Sequence, residues 1–313
     1  MRRILFAVTL FCSLSSMATQ APSDTENAIF GIGYGEVSSE AERDALAQIA
    51  MRLSARISVE EKTLLSSQNG VSGSQFLSAS TVHTDELLIP SYTIVERNEF
   101  AGQQQVVISV ERAHIESLYQ LEAENALNQV EGHITNTPAT SAYRQLIQAI
   151  SNDVLLSQSQ RYIRVLIGLD IDSKETEHLV ARYQHLNAVH SQNIQPLSLN
   201  VTGDARSQVA IEALHDNALA LGIAIHPSAP LQLVVRSKEK QASSSGKIVA
   251  ARRLVIDVRE QGQIDNVLQR ELDFMSEPLH SKSAATAYLD KKVRESFLVN
   301  GLVRIVGINT NEN

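Results

Sequence analysis

The chain has 313 residues, with 27 basic side chains against 35 acidic ones and a formal net charge of −8 at pH 7. An acidic chain with scattered signs is a poor partner for nucleic acid or an anionic lipid surface. Tryptophan is absent and aromatic residues make up 4% of the chain, which argues against a surface that stacks on bases or sugar rings.

The N-terminus reads as a secretory signal peptide over residues 1–18. Met1-Arg2-Arg3 is followed by an almost unbroken apolar run from Ile4 to Leu14, then by Ser15, Ser16, Met17 and Ala18. That order is a positive region, a short apolar region and a small-residue cleavage site. Cleavage is expected after Ala18; Ala21 is the second choice, because Pro22 would then follow the scissile bond. The apolar run is too short to cross about 30 Å of hydrocarbon as a helix. The only cysteine, Cys12, lies inside that run. A lipid-attachment motif needs a small residue before the cysteine, and Phe11 is large. Cys12 therefore reads as part of the apolar region, and membrane contact is expected to be indirect unless Cys12 is lipidated. The mature chain then has no thiol for a disulfide, a nucleophile or a metal site. Loss of Arg2 and Arg3 takes its net charge from −8 to −10.

The first expected element is the strand IFGIGYGEV, from Ile29 to Val37. Phe30, Ile32, Tyr34 and Glu36 fall on one face, and Gly31, Gly33 and Gly35 on the other. Glycine at alternate positions leaves that face without side chains, so another element must approach it closely. Ser39-Glu40-Ala41-Glu42 reads as a capping box. Ala41, Ala45, Ile49, Leu53 and Ile57 then form one apolar stripe, small at its start, which predicts a helix packed on the glycine face. Arg43, Asp44, Gln48 and Arg52 are assigned to its wet face. From Ser58 the pattern turns towards strand. Ser66 to Ser74 reads as a polar loop and Phe76 to Leu88 as extended. Tyr92–Glu96 and Gln105–Val110 read as a hairpin turning near Ala101-Gly102, and Ala113 to Val130 as a helix.

Between Thr135 and Gln195 the stripes Tyr143, Leu146, Ile147, Ile150 and Leu179, Val180, Tyr183, Leu186 predict short helices. Tyr162 to Ile171 fits a helix or a strand. Leu197 to Val201 reads as a strand. Asp204 is expected to cap a helix running to Leu221, with Gly222 at its end. Strands follow at Leu231–Arg236, Val249–Arg259 and Val267–Asp273, with a polar loop at Gln241–Lys247. A helix is expected over Ser283–Phe297, and Leu302–Ile308 as a closing strand. The fold class is α+β: two small sheet-plus-helix domains, over 28–133 and 196–309, joined by a helical segment over 135–195.

No motif in this order carries chemistry. Gly31-Ile32-Gly33-Tyr34-Gly35 lacks the third glycine of a dinucleotide fingerprint, since Glu36 stands there, beside a would-be pyrophosphate. Gly70-Val71-Ser72-Gly73-Ser74 matches a nucleophile elbow only in part. His178 and His185 are two helical turns apart, too far for one zinc ion, and with His190 they read as solvated helix histidines. Glu60-Glu61 and Glu124 with Glu131 read as exposed charge. Asn200-Val201-Thr202 matches a glycosylation sequon, a pattern short enough to arise by chance. No catalytic residue, cofactor site or metal ligand is expected.

The segment from Ile29 to about Val130 resembles the Lpp-twenty family of bacterial envelope lipoproteins, which also covers a flagellar outer-membrane group. The resemblance rests on Gly31-Ile32-Gly33-Tyr34-Gly35, the helix from Ala41 to Ser54, Ile57-Ser58-Val59 and the hairpin ending at Val106–Val110. It implies a non-enzymatic protein at or near the outer membrane, in some members linked to flagellar or surface structures. The C-terminal region, with Ser281 and the helix Ala284–Phe297, looks like periplasmic assembly domains of outer-membrane lipoproteins. The expectation is a periplasmic binding or assembly protein whose partners are other envelope proteins. The alternative is a secreted hydrolase or small-ligand-binding protein.

Overall fold

The computed structural model describes residues 22–67, 87–89, 91–100, 102–136, 141–169, 174–244 and 246–306. The signal-peptide segment, Gly70–Ser74 and most of Phe76–Leu88 lie outside them. The fold is α+β, with two sheets and helices on each, and it divides into two units.

The first unit opens with strand β1 (Ala28–Gly35) and helix α1 (Ser38–Ser67), followed by the hairpin β2 (Thr93–Phe100) and β3 (Gln103–Glu111). Gly102, at φ +80°, turns the hairpin, as a tight turn requires. The antiparallel sheet has the order β1-β3-β2, so the strand that follows β2 in sequence sits in the middle. Ile29, Gly31 and Gly33 lie opposite Val110, Ile108 and Val106 in register. This face is buried under Ala41, Ala45, Ile49 and Leu53 of α1, the four-residue stripe expected from the sequence. The helix does not give way to strand at Ser58 but runs to Ser67. The β-branched pair Ile57 and Val59 suggested a strand, yet Glu60, Glu61, Lys62, Leu64 and Leu65 are all strong helix formers that carry the helix on. Helix α2 (Arg112–Asn136) starts directly after β3, where the Arg112 amide donates to Asn27 O at 2.9 Å.

The division between the units falls after Tyr119, within α2. Helix α3 (Ala142–Gly168) contributes its stretch up to Arg164 to the second unit, and α4 (Lys174–Ile194) belongs there entirely. Leu146, Ile150 and Ile194 share one core with the second sheet. Parts of the helical segment over 135–195 thus reach the core of the second unit. Tyr162 onwards is helix as far as Gly168.

The second sheet is built from β4 (Ser198–Gly203), β5 (Ala224–Ile225), β6 (Leu231–Ser244), β7 (Lys247–Glu260) and β8 (Leu268–Met275), in the order β5-β4-β6-β7-β8. β4 runs parallel to β5 and β6; the other pairs are antiparallel. β6 and β7 reach further than expected, and the Gln241–Lys247 loop shrinks to a tight turn with Gly246 at φ +73°. Leu199, Val201, Leu231, Leu233, Val235, Leu254 and Ile256 form one buried face. Two helices cover it. α5 (Gln208–Ala220) contributes Ala210, Ile211 and Leu214, and α6 (Lys282–Val306) contributes Leu289, Val293, Phe297 and Leu302.

α6 replaces the closing strand expected at Leu302, since residues 302–306 continue the helix. Asn217 of α5 meets it there. Its Oδ1 accepts from the Leu302 amide at 2.9 Å, and its Nδ2 donates to Leu298 O at 3.2 Å. The side-chain amide sits between two groups of the helical ladder and satisfies both.

Candidate functional site

Backbone edges and side-chain faces left unused by a fold are where other chains can attach. β1 is an edge strand. The Arg112–Asn27 bond fixes the phase of its ladder, so the even-numbered residues turn their backbone groups away from β3. Three of those amides are capped by carboxylates. Phe30 N donates to Asp24 Oδ1, Tyr34 N to Asp44 Oδ2 and Glu36 N to Glu40 Oε2, each at 3.0 Å. Arg52 donates to Phe30 O. Glu40, Asp44 and Arg52 lie on one four-residue row of α1, beside the Ala41, Ala45, Ile49 row that packs on the glycines. A helix that sits so close to the strand can reach past it and seal its edge.

Asp44, Gln48 and Arg52 therefore do not simply face water. Asp44 takes the strand amide and also accepts from Gln48 Nε2 at 3.4 Å. The β1 edge is thereby guarded against an added strand, the usual defence of edge strands. The expected capping box is rearranged as well. Ser38 Oγ donates to Glu42 Oε1 at 3.1 Å, while the Glu40 carboxylate serves Glu36. Replacing Asp44 with alanine is expected to cost about 1 kcal/mol and to open the edge. Light scattering at rising concentration should show stronger self-association by Asp44→Ala than by the parent protein. A variant as monodisperse as the parent would remove the sealing role.

Glu42, the next residue on the outer side, anchors the start of the hairpin. Tyr92 Oη donates to Glu42 Oε2 at 2.7 Å and Arg97 Nη2 to Oε1 at 3.1 Å. The Tyr92 hydrogen bond is the leading influence on the carboxyl and holds it below the ordinary carboxylate range, assisted by Ser38 and Arg97.

Among the described residues of the second unit, one face of its sheet carries no helix. Its covering helices α5 and α6 lie on one side only, and among the described residues of the unit the other face carries long polar side chains. β6 presents Arg236, Lys238 and Lys240; β7 presents Ala251, Arg253, Val255, Asp257 and Arg259; β8 presents Gln269, Glu271, Asp273 and Met275. The acids on this face are already engaged. Asp257 is 0% exposed, lying under the Arg236 guanidinium and accepting from Gln269 Nε2 at 2.8 Å. Arg253 spans Asp273, at 2.7 and 2.9 Å, and Glu271, at 3.2 Å. Between these rows runs a groove lined by Lys238, Lys240, Ala251, Val255 and Met275, with Met275 61% exposed. The Arg-x-Lys-x-Lys alternation at 236–240 is legible in the sequence as one strand face, but nothing local shows that the face is uncovered.

The interior holds a second unexpected polar group. His178 and His185 are exposed on α4, but His190 is buried, 3% exposed. Neither ring nitrogen has a hydrogen-bond partner. Burial pushes its pKa down to about 4, so the ring is neutral at pH 7. The nearest acid is Asp153 of α3, with Oδ1 at 4.0 Å from Nε2, and burial raises the Asp153 pKa. His190 is thus a core residue and not a solvated one, because the α4 stripe Leu179, Tyr183, Leu186 continues through it to Ile194. This His–Asp pair does not line the groove. No group of three His, Cys, Asp or Glu residues suited to a metal ion occurs among the described residues. Asn200 of the sequon donates its side-chain amide to Pro227 O at 2.9 Å.

No helix among the described residues is long and apolar enough to cross a membrane. No protein-family model and no curated protein matches the chain. Among solved structures, the chain is similar to the secreted protein HP1454 from the human pathogen Helicobacter pylori. That match has 14% identity and a TM-score of 0.40, over 87% of this chain and 98% of that one. A minor lipoprotein from Acinetobacter baumannii is similar at 13% identity with a TM-score of 0.28, over 35% of this chain and 90% of that one.

Proposed function

We propose that this protein is exported and serves the bacterial envelope as a non-enzymatic binding or assembly protein, holding other proteins through the uncovered sheet face of its second unit. The observation that carries this reading is the five-stranded sheet with both helices on one side and a charged, grooved face on the other. A groove in which Ala251, Val255 and Met275 lie within a rim of charged side chains is the kind of surface on which other chains dock. The Met1–Ala18 segment supports export, and the Lpp-twenty resemblance of 29–130 supports an envelope role.

Photo-cross-linking in intact cells tests it. A photoreactive residue placed at Met275, in the groove, is expected to capture an envelope protein. The same residue at Leu219, exposed on α5, serves as the control position. Recovery of only the free protein from Met275 would sink the reading. A flagellum-linked role is the finer version, and a deletion strain with normal motility removes it. Periplasmic location without an anchor predicts no fatty-acid label at Cys12; incorporation there would place the protein on a membrane.

A further inference from the structure

β6 outruns its neighbour. β4 pairs with it only as far as Gly203 opposite Val235, because the chain leaves the sheet at Asp204 and enters a short 3-10 turn over Ala205–Ser207. The Asp204 carboxylate then takes the place of a strand carbonyl and accepts the Ser237 amide at 2.8 Å. Partial burial works against this carboxylate, but hydrogen bonds from Ser237, Ser207 and Arg206 outweigh it and keep its pKa below the ordinary value. Beyond that point β6 continues to Ser244, with β7 alone beside it.

The phase of the ladder shows what this leaves open. The Gln261 amide donates to Pro230 O at 2.8 Å, so even-numbered residues of β6 bond to β7 and odd-numbered ones turn to the β4 side. The Asp204 N to Val235 O bond, at 3.3 Å, obeys the same phase. Glu239, Gln241 and Ser243 therefore present backbone donors and acceptors where β4 has ended, and no described residue takes them. This contrasts with β1, whose edge amides are capped by three carboxylates.

The open-face side chains along this edge are Lys238 and Lys240, both exposed and without a carboxylate partner among the described residues. Across the ladder Lys238 stands opposite Arg253, a like-charge pair that disfavours itself. A strand added in line with β4 would place two of its side chains directly beside these lysines, with Cβ atoms about 5 Å away. Two residues apart on the added strand, they would share one face.

We propose that the β6 edge from Glu239 to Ser243 accepts an extended acidic segment of a partner protein as an added strand, with alternate carboxylates meeting Lys238 and Lys240. The inference rests on the partner-binding reading above and names the partner's chemistry. Its recognition pattern is an acidic residue, any residue, then a second acidic residue, in a stretch able to extend.

The test uses the purified protein and a fluorescent peptide, Thr-Glu-Val-Glu-Val-Glu-Thr. The peptide is expected to bind, and more weakly as salt rises. The same peptide with lysine for glutamate is expected not to bind. N-methylation of alternate backbone amides should abolish binding in one phase and spare it in the other, because only one set of amides faces β6. Lys238→Glu with Lys240→Glu should weaken binding about tenfold, since each cross-strand charge pair changes from attractive to repulsive. Equal binding by both N-methylated peptides would overturn strand addition. Unchanged binding by the double variant would overturn the role of the lysines. Binding to phosphatidylglycerol vesicles in place of the peptide would overturn a protein partner. Capture of a partner from Met275 alongside failure of the peptide would overturn this inference alone, and the binding reading would stand.

Discussion

Gly33→Ala is expected to unfold or loosen the first unit, at a cost of about 3 kcal/mol, the upper end for overpacking, because backbone and not a side chain is in the way. A Cβ at Gly33 would lie 2.0 Å from Ala41 O and 2.3 Å from Ala45 N. Both are backbone atoms of α1, so no rotamer change relieves the clash; the helix must lift off the strand. Lifting it uncovers Ile49, Leu53, Ile108 and Val110 and pulls Asp44 and Arg52 from the β1 edge. Gly31→Ala meets Ala45 O at 2.5 Å, and Gly35→Ala meets Glu40 Cβ at 2.5 Å, so each should cost less than Gly33→Ala. Gly102→Ala is the contrasting control, with open space around the new Cβ and only a positive φ to strain; its cost should be about 1 kcal/mol. Urea midpoints, read with hydrogen exchange in Val106–Val110, would rank the four. A Gly33→Ala protein with the parent midpoint would show that the close approach of helix and strand is not what the glycines serve.

Acid is expected to destabilise the second unit through His190. The folded pKa is depressed to about 4 from an ordinary 6.5. Above pH 6.5 the ring is neutral in both folded and unfolded chains and contributes no pH dependence. As pH falls from 6.5 towards 4, the unfolded chain takes up a proton that the folded chain refuses, and stability falls. The full difference is about 3 kcal/mol at 1.36 kcal/mol for each unit of pKa. Asp153 works in the other direction, because its raised pKa makes the ionised form the disfavoured one in the folded state. His190→Leu should flatten the profile between pH 6.5 and 4 and hold stability near pH 7, since it replaces two unsatisfied ring nitrogens with an apolar side chain. Asp153→Asn should leave the His190 slope in place. Denaturation midpoints measured across this range for the parent and both variants check the sign. A parent profile that matches His190→Leu would remove the linkage.

The two sheets treat their edges differently, and that difference bears on function. The first unit seals β1 with side chains drawn from its own helix. Among the described residues, the second leaves the β4 side of β6 unpaired past Ser237, beside Lys238 and Lys240, which have no carboxylate partner there. Edge closure normally protects against unwanted pairing, and the open stretch of β6 is the one for which we propose an added strand.

Much of the local structure is legible in the residues themselves. Alternating glycine in Gly31–Gly35 and the small start of the Ala41, Ala45, Ile49 stripe predict a helix pressed on a strand, because both periods are local. Gly102 and Gly222, both at positive φ, mark a hairpin turn and a helix end for the same reason. The α+β class follows from these alternations. Other features depend on residues far apart in sequence. Residues 302–306 are helical, and Asn217 of another helix bonds the backbone at Leu298 and Leu302. His190 is buried because α4 joins a core that its own sequence does not name. The seal on β1 depends on how closely α1 lies against that strand, and the open edge of β6 on where β4 turns away at Asp204. A side-chain period tells which face of an element is turned inward; which neighbour covers it, and where that neighbour ends, is decided only when distant segments pack.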